Sequence, residues 1–212
     1  MIQLFDNFKG KTILVTGHTG FKGSWLSIWL TQLGAKVVGV SDSEVSKPSN
    51  FSASVISTVI EDHRLDIRDA NAIKALVEKV QPDFVFHLAA QALVRPSYEN
   101  PIETMTINAI GTANVLDALR VLNKKVVAVM ITSDKAYDNV EWVWGYRESD
   151  RLGGKDPYSA SKGMAELVIR SYVESFFNDP ESNVRVGITR AGNVIGGGDW
   201  AVDRIVPDCM EA

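Results

Sequence analysis

Short apolar runs rich in Val and Ile alternate along this chain with longer stretches in which apolar residues recur every three or four positions. Such runs are typical of buried strands, and the longer spacing is typical of helices with one buried face. The predicted strands cover residues 11–16, 37–40, 55–60, 83–90, 125–132 and 184–188. The predicted helices cover residues 25–33, 70–80, 101–122 and 157–177. This alternation predicts an α/β fold with a doubly wound parallel sheet and right-handed crossovers.

Two connections between the predicted elements are long. Residues 42–54 are rich in Ser and predict a loop, and the long polar and aromatic connection 133–156 is of the kind that often carries function. We expect the sheet to occupy residues 1–190. Residues 191–212 would begin a substrate-binding region, most of which would be absent from this chain.

Composition narrows the class of protein. The chain has 212 residues, 45% of them hydrophobic, and a net charge of −4 without a basic block, which disfavours nucleic acid as a partner. The single cysteine, Cys209, excludes an internal disulfide framework and favours a reducing compartment. No apolar run approaches the ~20 residues of a membrane-spanning helix. We therefore expect a cytoplasmic enzyme, and no metal ion is expected in its site.

A glycine-rich turn follows the first predicted strand. Gly17 would permit the tight turn, Gly20 would let the backbone approach a pyrophosphate, and Gly23 would allow close packing of helix on strand. The amino terminus of the helix would then face the phosphates with free N–H groups. An ordinary strand–helix turn is the alternative, but it needs only one glycine. The pattern predicts a Rossmann dinucleotide site formed by Gly17, His18, Thr19, Gly20, Phe21, Lys22 and Gly23.

Two acidic positions bear on which dinucleotide binds. Asp42, near the end of the second strand, fits the residue that holds the adenosine ribose, although Ser41 could occupy that position. No Arg follows immediately, which favours NAD over NADP. Asp66 and Ile67 could contact the adenine, or Asp66 could simply cap the helix that begins near Ala70.

Tyr158 and Lys162 are candidate catalytic residues. Their spacing of four places both side chains on one face of a helix, where the ammonium would lower the phenol pKa from ~10 towards neutrality. A Tyr–Lys pair on an exposed helix face is the ordinary alternative. Here, however, Ser133 follows a strand end that would lie across the cleft, and ligands of doubly wound folds bind at such ends.

Together these motifs resemble those of the extended short-chain dehydrogenase/reductases, and among them the sugar-nucleotide 4,6-dehydratases. The most specific stretches are residues 16–25 (TGHTGFKGSW), 89–96 (AAQALVRP), 132–137 (TSDKAY) and 190–200 (RAGNVIGGGDW). The resemblance implies bound NAD, CDP-D-glucose as the nucleotide-sugar substrate, and elimination of water across C5 and C6 after transient oxidation at C4. It also implies a homodimer formed through the helices over 101–122 and 157–177, and members that continue well beyond residue 212.

The same resemblance implies a role for individual residues. Tyr158 would remove the 4-hydroxyl proton while Ser133 hydrogen-bonds the same oxygen. Related enzymes use an Asp–Glu pair for elimination, and here Asp134 and Lys135 hold those positions, so we hypothesise Asp134 as acid and Lys135 as base. Further residues are implied near the cofactor (Leu88, Ala89, Ala90 and Asn108, the last supporting Lys162 through a water) and near the substrate (Arg95 and Asn193). His18 would crowd the pyrophosphate and weaken NAD retention.

Two other functions fit the same residues. A sugar-nucleotide 4-epimerase would share Tyr158 and Lys162 but has no use for the pair at 134 and 135. A chain that binds NAD without turnover would keep every motif. Trp142, Trp144 and Tyr146 could form either a lid or a small packed cluster.

Overall fold

The computed structural model describes residues 6–211, and its centre is a parallel sheet in the order β3-β2-β1-β4-β5-β6. The strands are β1 (Thr12–Thr16), β2 (Lys36–Ser41), β3 (Glu61–Arg64), β4 (Phe84–His87), β5 (Val126–Ile131) and β6 (Val184–Thr189). Each pair of neighbours runs parallel. The order reverses between β1 and β4, so the predicted doubly wound α/β fold is confirmed.

Helices cover both faces of this sheet. They are α1 (Phe21–Gln32), α2 (Asn50–Ser54), α3 (Ala70–Val80), α4 (Val94–Glu99), α5 (Pro101–Met105), α6 (Thr112–Leu119), α7 (Pro157–Tyr172) and α8 (Ile205–Glu211). A π-helical turn, Thr106–Gly111, joins α5 to α6, and another, Val173–Phe177, extends α7. The two long predicted helices are therefore present, each containing one wider turn.

Apolar side chains of the strands form two cores, one on each face of the sheet. Leu14, Val85 and Met130 pack against α3, α6 and α7 on one face. Ile13, Val15 and Leu30 form the smaller core under α1 and α2 on the other face. Both cores hold the strand ends in fixed positions. Within residues 6–211, no helix is both long and apolar enough to cross a membrane.

The prediction of a strand over residues 55–60 is wrong. Val55 has a positive φ of 54°, and a short 3-10 turn, Ile56–Thr58, follows it. Ile56 and Ile60 are buried against the sheet, which accounts for the apolar pattern without extended backbone. The strand itself is the polar segment Glu61–Arg64, which has only β2 as a neighbour. An edge strand tolerates charged residues because one side of it is free.

Helix α1 buries small residues beside Leu30 and leaves its tryptophans partly exposed. Trp25 and Trp29 are about half exposed, whereas Ser24 and Ser27 are fully buried. The hydroxyl of Ser27 donates to the carbonyl of Gly23 in the preceding turn, so burial leaves it hydrogen-bonded. The small face lets α1 approach the glycine turn closely.

Candidate active site

A cleft of about 450 Å³ opens at the carboxyl ends of the strands, where the strand order reverses. Ligands of doubly wound sheets bind at this position. The predicted cofactor residues that line it are Gly17, Thr19, Gly20, Phe21, Lys22, Gly23, Asp42, Asp66, Ile67, Leu88, Ala89 and Ala90. These residues come from four separate segments of the sequence, and they meet in one cleft because each segment follows the carboxyl end of a strand.

The three glycines of the turn have different steric surroundings. Gly17 has a φ of +74°, and a Cβ on it would lie 2.6 Å from the backbone nitrogen of Ala89. A Cβ on Gly23 would lie 2.0 Å from the carbonyl oxygen of Gly17, so this position admits no side chain. At Gly20 the nearest atom would be that same oxygen at 3.3 Å, and no side chain caps the start of α1. The first turn of α1 therefore offers free N–H groups beside an open cradle that suits a pyrophosphate.

His18 does not take part in this cradle. Its side chain is fully buried, and its Nε2 lies 2.8 Å from Asp62 Oδ1 on β3. A Cβ on Gly39 would lie 2.4 Å from the imidazole, so the ring fills the space over β2 that this glycine leaves. Burial, opposed by Asp62, lowers the pKa of His18. The imidazole is directed into the sheet, so the expectation that it crowds the pyrophosphate is wrong.

The adenosine side of the cleft includes both acidic candidates. Asp42 and Ser41 line it together, so the structure does not separate the two as ribose ligands. The carboxylate of Asp66 accepts hydrogen bonds from the backbone and side chain of Arg68, and the side-chain bond lowers its pKa. The cap of α3 is Asp69, which accepts from the N–H of Ala72 at 2.9 Å. The alternative interpretation of Asp66 as the cap is therefore wrong.

Tyr158 and Lys162 lie on one face of α7, both nearly buried, with Lys162 Nζ 5.9 Å from the centroid of the phenol ring. Asp156 caps the helix by accepting from the N–H of Ser159 at 2.9 Å. Burial, followed by the nearby Lys22, lowers the pKa of Lys162 to about 8. Burial also raises the pKa of Tyr158, while a hydrogen bond with Ser133 acts in the opposite direction. The expectation that Lys162 brings the phenol pKa below its ordinary value is therefore wrong for this structure.

The acid–base candidates lie on a 3-10 turn directly after β5. Ser133 caps this turn, and its Oγ donates to Asp134 Oδ1 at 2.9 Å. Asp134 Oδ1 lies 3.6 Å from Lys135 Nζ, and both side chains are open to solvent by 49% and 40%. Ser133 and Asp134 both influence the pKa of Tyr158, so the turn and the phenol adjoin. The described residues thus bring four of the five predicted catalytic groups to one place, with Lys162 behind the phenol.

Asn108 is buried in the π-helical turn and fully hydrogen-bonded. Its Oδ1 accepts from the N–H of Gln91, while its Nδ2 donates to the carbonyl of Gln91 and to Ser161 Oγ at 2.7 Å. Ser161 precedes Lys162, so Asn108 contacts the neighbour of the candidate lysine. Support of Lys162 through a water stays a prediction.

The two predicted substrate residues outside the catalytic turn lie away from the cleft wall. The guanidinium of Arg95 is 80% exposed and forms an ion pair with Asp203 at 2.9 Å. Asn193 is exposed in the segment after β6. Neither residue lines the cleft among residues 6–211, and their contact with a substrate stays a prediction.

Sequence reasoning assigned no role to two charged residues behind this site, one buried and one partly buried. Glu166 is 2% exposed and accepts two hydrogen bonds from Arg190, whose side chain is 15% exposed. The signal for Glu166 was its spacing, since it follows Tyr158 by eight residues and Lys162 by four on the same face of α7. Arg190 begins the RAGNV stretch that carried the family resemblance.

The sheet order, the glycine turn and the Tyr–Lys helix together define a dinucleotide-binding protein of the short-chain dehydrogenase/reductase class. The sequence model of the family described as GDP-mannose 4,6 dehydratase matches residues 14–185, and this chain belongs to that family. The resemblance inferred from the motifs is thereby confirmed.

Individual relatives agree with this membership. The chain is 50% identical over 208 residues to a CDP-glucose 4,6-dehydratase of Salmonella typhimurium, covering 97% of this chain and 58% of that protein. An epimerase of Methanothermobacter thermautotrophicus has a similar structure, with a TM-score of 0.81, 26% identity and coverage of 97% of this chain and 59% of the other. A Thermus thermophilus UDP-glucose 4-epimerase in complex with NAD gives a TM-score of 0.74 at 27% identity, covering 87% and 56%. The chain spans little more than half the length of these proteins.

Proposed function

We propose that this chain is the cofactor-binding and acid–base part of a CDP-glucose 4,6-dehydratase that uses NAD. The main support is the turn Ser133–Asp134–Lys135, which adjoins Tyr158. The chain is also 50% identical to an enzyme of that name. An epimerase needs the phenol but no acid–base pair, so the pair at 134 and 135 favours elimination.

The cleft fits a dinucleotide. Gly20 leaves the cradle at the start of α1 open, and Asp42 and Ser41 line the cleft at the end of β2, which supports a ribose ligand at this position. When bound, NAD would accept hydride from the sugar and later return it. Choice of NAD over NADP is supported by the acidic residue at the end of β2 and by the absence of an arginine from the cleft lining contributed by residues 41–46.

We assign each proton transfer of the reaction to a different residue of the site. Tyr158 acts as the base that takes the proton of the 4-hydroxyl while Ser133 hydrogen-bonds the same oxygen. The resulting ketone acidifies the C5 proton, for which Lys135 is the base. Asp134 is the acid that gives a proton to the departing 6-hydroxyl, which leaves as water. The 3.6 Å separation of Asp134 and Lys135 lets one sugar carbon pair reach both groups.

The test is incubation of the chain with NAD and CDP-glucose, following the 4-keto sugar by its absorbance in alkali. Lys135→Met should abolish elimination while C4 oxidation stays detectable, because only the C5 base is removed. Lys74→Met, at an exposed lysine of α3, is the matched control. Full dehydration by the Lys135 variant would refute the assigned role, and formation of a C4-epimerised sugar would support the epimerase instead. NAD binding without turnover would show a cofactor-binding chain alone.

The proposed enzyme is cytoplasmic and homodimeric. Support for the dimer comes from apolar side chains on the outer faces of the helices from α5 to α7. The exposed members are Ile102, Ile110, Met164, Leu167 and Phe176. Two such faces from two copies would bury each other.

A further inference from the structure

A buried carboxylate lies behind the catalytic turn and connects three segments of the chain. Glu166 Oε1 accepts from the hydroxyl of Thr132 at 2.6 Å and from Arg190 Nε at 2.7 Å. Its Oε2 accepts from Arg190 Nη2 at 2.6 Å, so the guanidinium binds both oxygens. Glu166 belongs to α7, Thr132 directly precedes the turn after β5, and Arg190 directly follows β6. Paired bonds of this kind fix orientation as well as distance.

The connection reaches both halves of the proposed acid–base set. Thr132 is covalently bonded to Ser133, and the backbone N–H of Asp134 donates to the carbonyl of Ala191, the neighbour of Arg190, at 3.0 Å. Glu166 lies two helical turns from Tyr158 on the same helix. Loss of the carboxylate would therefore remove a hydrogen bond that joins the residue before the turn to the helix that carries Tyr158.

Arg190 also supports the long connection that follows the turn. Its guanidinium lies 4.5 Å from the ring centroid of Tyr137, and Nη1 donates to the carbonyl of Glu148 at 3.1 Å. Tyr137 in turn stacks on Tyr146 with ring centroids 4.9 Å apart. The hydrogen bond to Glu166 raises the pKa of Arg190 above its ordinary value, which keeps this cation charged.

We infer that Glu166 and Arg190 are positioning residues, which hold the Ser133–Asp134–Lys135 turn at a fixed distance from Tyr158. Glu166 is 2% exposed and Arg190 is 15% exposed, and each binds the other, so we assign them a place behind the turn and no contact with substrate. The inference deepens the proposed function and rests on it only for the reaction that the arrangement serves. A purely stabilising role is the rival explanation. Buried ion pairs can often be replaced by apolar residues without loss of stability, so the two roles can be separated.

The experiment compares Thr132→Val, Glu166→Gln and the double variant Glu166→Leu/Arg190→Met. Thr31→Val is the matched control, because that hydroxyl donates only to the carbonyl of Ser27 within α1. The first readout is the titration of Tyr158 in chain labelled with ¹³C on its tyrosine rings, with Tyr158→Phe to assign the signal. Thermal unfolding and, where the chain turns over CDP-glucose, kcat and KM are measured in parallel.

Loss of the connection should let Ser133 move away from the phenol. We expect the Tyr158 pKa to rise by roughly half a unit or more in all three variants, because the hydrogen bond that favours phenolate is weakened. We expect kcat to fall about tenfold or more with KM nearly unchanged. The double variant should show these changes while unfolding close to the wild-type temperature.

Two results would overturn the inference. One is a double variant that folds and has the wild-type Tyr158 titration, since the pair would then serve stability alone. The other is an unchanged Tyr158 titration in Thr132→Val. This variant removes only one hydroxyl, so it tests the positioning role even where the double variant does not fold. A wild-type chain without turnover would count against the proposed function, whereas the titration would still decide the positioning role.

Discussion

Burial governs the charge state of Lys162, the proposed catalytic lysine. Lys162 has a pKa lowered to about 8, against an ordinary value of about 10.4 for lysine. Between these two pH values the unfolded chain binds more protons than the folded one, so folding stability contributed by this residue rises with pH. Below pH 8 Lys162 is charged in the folded and the unfolded chain, so burial of the ammonium lowers the free energy of unfolding by its full amount.

Replacing this lysine should therefore stabilise the protein near neutrality. We predict that Lys162→Met raises the free energy of unfolding below pH 8 by up to about 3 kcal/mol, and that the gain disappears as pH rises towards 10.5. Urea unfolding across this range measures it, with Lys74→Met as the exposed control. An equal effect of Lys162→Met at pH 7 and pH 10.5 would contradict the charge-burial explanation.

Two neighbouring glycines should respond differently to the same substitution. A methyl group on Gly23 would overlap the carbonyl of Gly17. One on Gly20 would lie 3.3 Å from the same oxygen, a tight contact without overlap, and would enter the cradle. We predict that Gly23→Ala lowers the free energy of unfolding by about 2 kcal/mol or more through overpacking. Gly20→Ala should change the free energy of unfolding much less. It should weaken NAD binding about tenfold or more, as measured by calorimetry. Equal NAD affinities for wild type and Gly20→Ala would remove the cradle as the pyrophosphate site.

At the scale of elements, Asn108 links the π-helical turn between α5 and α6 to two other segments by hydrogen bonds. This amide joins the segment after β4, through Gln91, to α7, through Ser161. The wider turn accommodates a polar group that is 1% exposed and still hydrogen-bonded on both sides. Such a group cannot be removed without leaving buried partners unsatisfied.

We predict that Asn108→Ala lowers the free energy of unfolding by about 2–3 kcal/mol. The N–H of Gln91 loses its acceptor, and Ser161 Oγ loses the hydrogen bond that it accepts from Asn108 while it still donates to the carbonyl of Tyr158. Asn114→Ala is the comparison, since Asn114 donates to the carbonyls of Ile67 and Arg68 where water can replace it. Its cost should stay below about 1 kcal/mol. Urea unfolding measures both, and equal costs would show that burial is not the deciding factor.

At the scale of the whole molecule, the outer faces of α5 to α7 should pair two copies of the chain. We predict that the double variant Ile110→Glu/Leu167→Glu is monomeric, because two charges would face an apolar partner surface. Val59→Glu, at a residue that is 63% exposed beside β3, should leave the dimer intact. Sedimentation velocity distinguishes the species. A wild-type chain that sediments as a monomer at micromolar concentration would contradict the prediction.

The sequence by itself predicted those features of the protein that depend on residues close together in the chain. The succession of strands and helices, the glycine turn after β1 and the Tyr158–Lys162 helix follow from residue spacing, because period and turn sterics act over a few residues. Placement of most cofactor candidates in one cleft, though not of His18 or Asn108, also followed, since parallel strands bring their carboxyl ends to the same edge.

Only the tertiary structure decided the features that depend on burial and on contacts distant in sequence. The apolar run 55–60 is not a strand, because its side chains pack beneath the sheet while the polar Glu61–Arg64 pairs with β2. His18 lies in the core because Gly39, on another strand, leaves room for it. The pKa of Tyr158 rises because burial outweighs its neighbours, and the Glu166–Arg190 pair forms only when α7 and β6 meet. Desolvation and pairing across 24 residues are properties of the folded chain, which no local sequence pattern encodes.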